Sequence, residues 1–155
     1  MRAIEDVTLK PGVDVGIALD CAASEFYSDG MYKLRAEEKS YSSEEFTSYL
    51  TSLVKSYPIL SIEDGMDEND LKGWQFLTKE LGQKCQLVGD DLFVTNVNEL
   101  KEGIQNNAAN SILIKFNQVG TIKETFETFL LAKNNNIKTI ISCLLYTSDA
   151  ADDLL

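Results

Sequence analysis

Five short apolar runs punctuate the chain: Val15-Gly16-Ile17-Ala18-Leu19, Tyr57-Pro58-Ile59-Leu60-Ser61-Ile62, Gln86-Leu87-Val88-Gly89, Ser111-Ile112-Leu113-Ile114 and Thr139-Ile140-Ile141. Their brevity and β-branched content predict strands, and near-continuous apolarity predicts burial on both faces, as in a parallel sheet. Pro58 stands at the start of its run, where a missing N–H is tolerated. The segments between the runs carry the helical period instead. Ser42 and Glu45 have capping-box spacing ahead of Phe46, Tyr49, Leu50, Leu53, Val54 and Tyr57, one broad apolar stripe. Asp67 is expected to open a second helix with Leu71, Trp74, Leu77 and Leu81 inward and Gly82 at its end. Asn96 and Glu99 open a third, with Val97, Leu100, Ile104 and Ala108; Thr121 and Glu124 open a fourth, with Ile122, Phe126, Phe129 and Leu130.

This strand–helix alternation predicts an α/β fold with right-handed crossovers between parallel strands. Asp29-Gly30 between Tyr27 and Tyr32 adds a hairpin signal that projects from the framework. Trp74 reads as core. The residues after Ser142 complete no helical pattern and are expected to be unstructured.

The polar residues at the end of each run change the picture from fold to chemistry. Asp20 comes after the first, Glu63-Asp64 after the second and Asp90-Asp91 after the third, while Lys115 closes the fourth and Ser142 the fifth. In a parallel sheet these positions share the carboxyl edge, where α/β folds place their sites. The two-residue strand period puts Lys115 on the face of Leu113, Asp90 on that of Val88 and Glu63 on that of Ser61. With those faces inward, Asp20, Glu63, Asp90 and Lys115 converge at one mouth. Asp64 and Asp91 fall on the opposite pleat, which suits caps or partners that hold the ligands. Three hard carboxylates on rigid strands suit Mg²⁺. A lysine beside a bound cation is suited to accepting a proton. Together they read as proton abstraction next to a carboxylate, with a metal stabilising the enediolate. Taken singly, each of these charges has a plainer reading as a helix cap or a solvated strand end.

Composition narrows the function classes. The chain has 155 residues, with 14 Lys and Arg against 25 Asp and Glu, a net charge of −11 and no histidine. Such acidity repels nucleic-acid phosphates and anionic membrane surfaces, and the lack of histidine removes His-based triads and His-bound zinc. Three widely spaced cysteines point to a reducing compartment, hence the cytoplasm. No apolar run approaches the roughly 20 residues of a membrane span, and a complete eight-stranded α/β barrel typically takes about 250 residues.

At these same residues the sequence resembles enolase, the phosphopyruvate hydratase of glycolysis, in its bacterial form. The matching segments are Ala18-Leu19-Asp20-Cys21-Ala22-Ala23-Ser24-Glu25-Phe26-Tyr27, Ser61-Ile62-Glu63-Asp64-Gly65, Val88-Gly89-Asp90-Asp91-Leu92-Phe93-Val94-Thr95-Asn96 and Ile114-Lys115-Phe116-Asn117-Gln118-Val119-Gly120-Thr121. The resemblance implies a partial TIM-like (β/α) barrel of the enolase C-terminal domain over residues 1–142, with residues 143–155 a disordered or artefactual tail. It implies Asp20, Glu63 and Asp90 as Mg²⁺ ligands, Lys115 as the catalytic base, and Glu63, Asp90 and Lys115 as contacts to 2-phosphoglycerate or phosphoenolpyruvate. It implies a lyase that is a homodimer in the family. Ser24 and Glu25 receive no role. After Ser142 the family's Ser-His-Arg-Ser-Gly phosphate loop is replaced by Cys143-Leu144-Leu145. The chain by itself is therefore expected to be inactive. The alternative function is a non-catalytic remnant that binds metal weakly.

Overall fold

The computed structural model describes residues 1–142, so the tail reading for 143–155 lies outside the described residues. A short helix, α1 (Arg2–Asp6), leads to β1 (Ile17–Asp20); β2 (Tyr27–Ser28), β3 (Met31–Leu34) and β4 (Lys39–Tyr41) follow. Then come α2 (Ser43–Ser56), β5 (Ile59–Glu63), α3 (Leu71–Leu81), β6 (Gln86–Gly89), α4 (Val97–Gln105), β7 (Ser111–Lys115), α5 (Phe116–Val119), α6 (Ile122–Asn134) and β8 (Lys138–Ser142). The main sheet has the order β1-β5-β6-β7-β8, each pair parallel, as the alternation of runs predicts. The α/β class and the partial-barrel expectation hold: five consecutive parallel strands carry helices on one side.

Registers place equivalent residues in layers. Ala18 pairs with Ser61 and Asp20 with Glu63, while Glu63 lies level with Val88. The helix-facing side of the sheet holds the core, where Ile62, Leu87 and Ile112 meet Trp74, Leu77, Leu81 and Leu100, all fully buried. Trp74 is core, as its spacing predicts.

The capping box of α2 forms as its sequence demands: Ser42 Oγ accepts the Glu45 N–H, and the Glu45 carboxylate accepts the Ser42 N–H at 2.8 Å. The opening of α3 differs from expectation. Asp70, not Asp67, is its N-cap and accepts the Gly73 N–H. Asp67 is taken by other partners: its carboxylate accepts the Asn69 N–H, and its own N–H donates to the Tyr32 hydroxyl at 3.0 Å. Tyr32 in turn donates to Asp70, which also accepts the Ser43 hydroxyl at 2.6 Å. One carboxylate therefore ties the hairpin, α2 and α3 together.

The Asp29-Gly30 hairpin is present, with both turn residues at positive φ (55° and 75°) and Tyr27 opposite Tyr32. A third strand, β4, extends it, which the sequence pattern does not signal. The larger departure is α6. Its expected inward stripe is largely outward: Ile122 is 79% exposed and Phe126 55%. The buried face is Thr125, Thr128 and Ala132. The two threonines tolerate burial because their hydroxyls donate to the carbonyls of Thr121 and Glu124, and Thr128 also reaches Thr95. The aromatic stripe instead flanks an apolar groove with Ile114, Phe116 and Ile141 beside β8. Among the described residues, no helix is long and apolar enough to cross a membrane.

Candidate active site

All four charged residues singled out in the sequence stand at the carboxyl edge of the sheet. Asp20 ends β1, Glu63 ends β5, Asp90 follows β6 directly and Lys115 ends β7. The loops that leave this edge are conformationally strained. Ala22, Asp64, Val94 and Thr95 all hold left-handed backbone (φ 44°, 41°, 41° and 54°), a region that non-glycine residues avoid. Such strain persists only where surrounding contacts over-determine the backbone, and it collects at functional sites.

The Lys115 ammonium donates to Asp90 Oδ2 in an ion pair mostly shielded from water. The other oxygen, Asp90 Oδ1, is buried and has no hydrogen-bond partner among the described residues. Asp64 accepts two backbone N–H groups, that of Asp90 on one oxygen and that of Asp91 on the other, each at 3.0 Å. The Asp20 carboxylate accepts the Ala22 N–H at 3.1 Å.

Glu63, Asp64 and Asp90 each offer one carboxylate oxygen within 4.8 Å of the others. This differs in one member from the set drawn from sequence. Asp20 pairs with Glu63 in register but stays outside that tight group. Asp64, placed on the opposite pleat by the strand period, joins it because its left-handed backbone turns the chain out of the strand. Its two accepted N–H bonds agree with a supporting role.

Electrostatics reflect this crowding. Burial, and then the charges of Asp20, Asp90 and Asp64, push the Glu63 carboxyl up to about 7. Burial also raises Asp64, to about 6, although the N–H groups of Asp91 and Asp90 pull the other way. Beneath them Cys21 is pushed up to about 12 by burial and by the neighbouring Asp20 and Asp64 charges, so its thiol stays protonated. A bound cation would relieve the repulsion that raises Glu63 and would fill the empty acceptor position of Asp90 Oδ1. The donor set is all carboxylate oxygen, which fits a hard divalent ion.

Comparison with known protein families matches residues 1–153 to the enolase C-terminal TIM barrel domain. The chain belongs to that family. In the enolase domain, as in other α/β barrels, the carboxyl edge of the strands is where chemistry sits, and here that edge carries the acidic cluster and the lysine.

Two residues of this site escape the sequence pattern. Thr95, fully buried, accepts the Lys115 N–H on its hydroxyl at 3.0 Å. Gln118 accepts the Thr95 hydroxyl proton at 2.7 Å. Neither bears a charge, and a threonine in a loop gives no periodic signal. Ser24, to which the sequence assigns no role, donates to Glu68 at 3.0 Å and accepts the Glu68 N–H, which joins the loops after β1 and β5.

Proposed function

We propose that this site serves a lyase of the bacterial enolase type, a cytoplasmic enzyme of glycolysis that interconverts 2-phosphoglycerate with phosphoenolpyruvate and water. The observation that carries the reading is the Lys115–Asp90 ion pair beside Glu63, with the second Asp90 oxygen buried and unpartnered among the described residues. It sets the lysine nitrogen beside a set of hard oxygen donors, the arrangement that a base next to a bound cation requires. Asp20, Glu63 and Asp90 would hold Mg²⁺, with Asp64 bracing the Asp90 loop. Bound there, the ion supplies Lewis-acid stabilisation of the negative charge that develops on the substrate carboxylate.

The residues of the chain do the rest. Lys115, acting in its neutral amine form, takes the proton from C2 onto Nζ; the electron pair left at C2 forms the double bond to C3 as hydroxide departs from C3. Glu63 and Asp90 face the substrate from the neighbouring strand ends, where a bound cation would offset their charge toward an anionic substrate. A lysine base paired with Mg²⁺ is general to enolase-type sites and not unique to this chain. In the family the active form is a homodimer, which is part of the same proposal.

The test is solvent exchange of the C2 proton of 2-phosphoglycerate in ²H₂O, followed by proton NMR, in a complete enolase that carries this segment. Mg²⁺-dependent exchange that disappears in Lys115→Ala is the expected result. Exchange at an unchanged rate in that variant overturns the assignment. Failure of exchange in the unmodified protein favours the non-catalytic metal-binding reading.

A further inference from the structure

The strands that carry the ion pair differ in length at the critical edge. β6 stops at Gly89, and its pairing with β7 stops at Gly89 opposite Ile112. β7 continues to Lys115. Past the Gly89–Ile112 pair the ladder continues only with β8, up to Lys115 opposite Ser142, and it offers the Lys115 N–H no β6 carbonyl; an unpaired buried N–H is costly. Thr95 fills that place. Its hydroxyl accepts the Lys115 N–H at 3.0 Å and donates its proton to Gln118, while lying 3.4 Å from the Leu113 carbonyl.

Thr95 is itself held tightly. Its carbonyl accepts the Thr128 hydroxyl of α6 at 2.9 Å, and it is fully buried. The loop that carries it starts at Asp90, whose carbonyl accepts the N–H groups of Phe93 and Val94. Val94 and Thr95 both stand in left-handed backbone, where a β-branched residue is a genuine outlier. The loop thus retains strain to bring one hydroxyl to one amide. It joins both members of the ion pair, Asp90 through the chain at its start and Lys115 through the Thr95 hydroxyl.

We infer that Thr95 is the positioning residue for Lys115: its hydroxyl replaces the missing ladder partner, fixes the backbone of the lysine and so aims the amine at Asp90. Its bearing on catalysis rests on the reading of Lys115 as proton acceptor, but its test does not. That reading stands or falls separately, in the C2 exchange of Lys115→Ala.

The experiment is NMR on the 155-residue chain. In the unmodified protein the Lys115 amide should be protected from hydrogen exchange although the β6 ladder has ended; exchange at the rate of an open amide overturns the inference without any variant. Thr95→Val keeps the branched shape and removes the hydroxyl. It should speed Lys115 amide exchange about tenfold, leave the Ile112 amide unchanged and lower the order parameter of the Lys115 ammonium. Thr95→Ser should restore both. A role confined to loop stability predicts a lower melting temperature with the ammonium order unchanged, and that result refutes the positioning role, as does failure of serine to rescue.

Discussion

The carboxylate of Asp64 grips the backbone of Asp90: Asp64 Oδ1 accepts the Asp90 N–H at 3.0 Å while its other oxygen accepts that of Asp91. The bond sets where the Asp90 side chain begins, and so where its free oxygen lies relative to Glu63. Asp64→Asn would face an amide NH₂ toward one of these N–H donors. Supporting partners of metal ligands typically contribute about 10–100-fold in affinity, so Mg²⁺ binding should weaken by that factor. Calorimetric titration that retains wild-type affinity would release Asp64 from this role.

The ligand assignment makes a sharper comparison. Asp20→Ala, Glu63→Ala and Asp90→Ala each remove one hard donor and should each lower Mg²⁺ affinity. Asp20 is the discriminating case, because it stands outside the tight group formed by Glu63, Asp64 and Asp90. Titration of Asp20→Ala with unchanged affinity would leave Asp64 as the third carboxylate.

Lys115 is tested by two substitutions. Lys115→Ala should leave Mg²⁺ binding nearly intact and abolish exchange of the C2 proton in the complete enzyme. Lys115→Arg should fail as well, because guanidinium stays protonated at any working pH. A solvated strand-end lysine predicts near-normal exchange in both variants, so the rates decide between the roles.

Stability without metal should fall as pH rises. The Glu63 and Asp64 carboxyls titrate at about 7 and about 6 in the folded chain, above their ordinary values of 4.5 and 3.8. Between those limits the native state binds more protons than the unfolded chain. The stabilising contribution is therefore present at low pH and is lost as pH rises through about 6 and about 7. The urea midpoint should be higher near pH ~5.5 than near pH ~8, and saturating Mg²⁺ should narrow the gap. An equal or higher midpoint at the alkaline end without metal contradicts the crowding of these carboxylates.

Gly103→Ala tests the packing beneath the site. In a helix interior, alanine is ordinarily favoured over glycine by about 1 kcal/mol. Here a Cβ at Gly103 would lie 2.3 Å from the Phe93 ring, which is 1% exposed and also presses on Gly89. Overpacking typically costs about 1–3 kcal/mol, so the clash wins and the variant should be less stable by denaturant titration. A gain in stability would show that the Phe93 loop yields.

The order of strands and helices, the parallel sheet and the four charged strand ends are written in local pattern. Short β-branched runs fix the elements, and a two-residue period fixes which side chains share a face. The Ser42–Glu45 box is equally local, since both partners lie within one turn. The tertiary structure decided whatever depends on competition between distant groups. Tyr32, 35 positions away, engages the Asp67 backbone and leaves Asp70 to cap α3. A periodic stripe shows that α6 has an apolar face, but the threonine hydroxyls that find carbonyl partners determine which face turns inward. Asp64 enters the acidic cluster through a left-handed turn that no strand period describes, and Thr95 reaches Lys115 because β6 ends before β7 does. Periodicity carries the direction of a side chain within its own element; partners across elements are chosen by where neighbouring strands stop and which polar groups would otherwise be left unpaired.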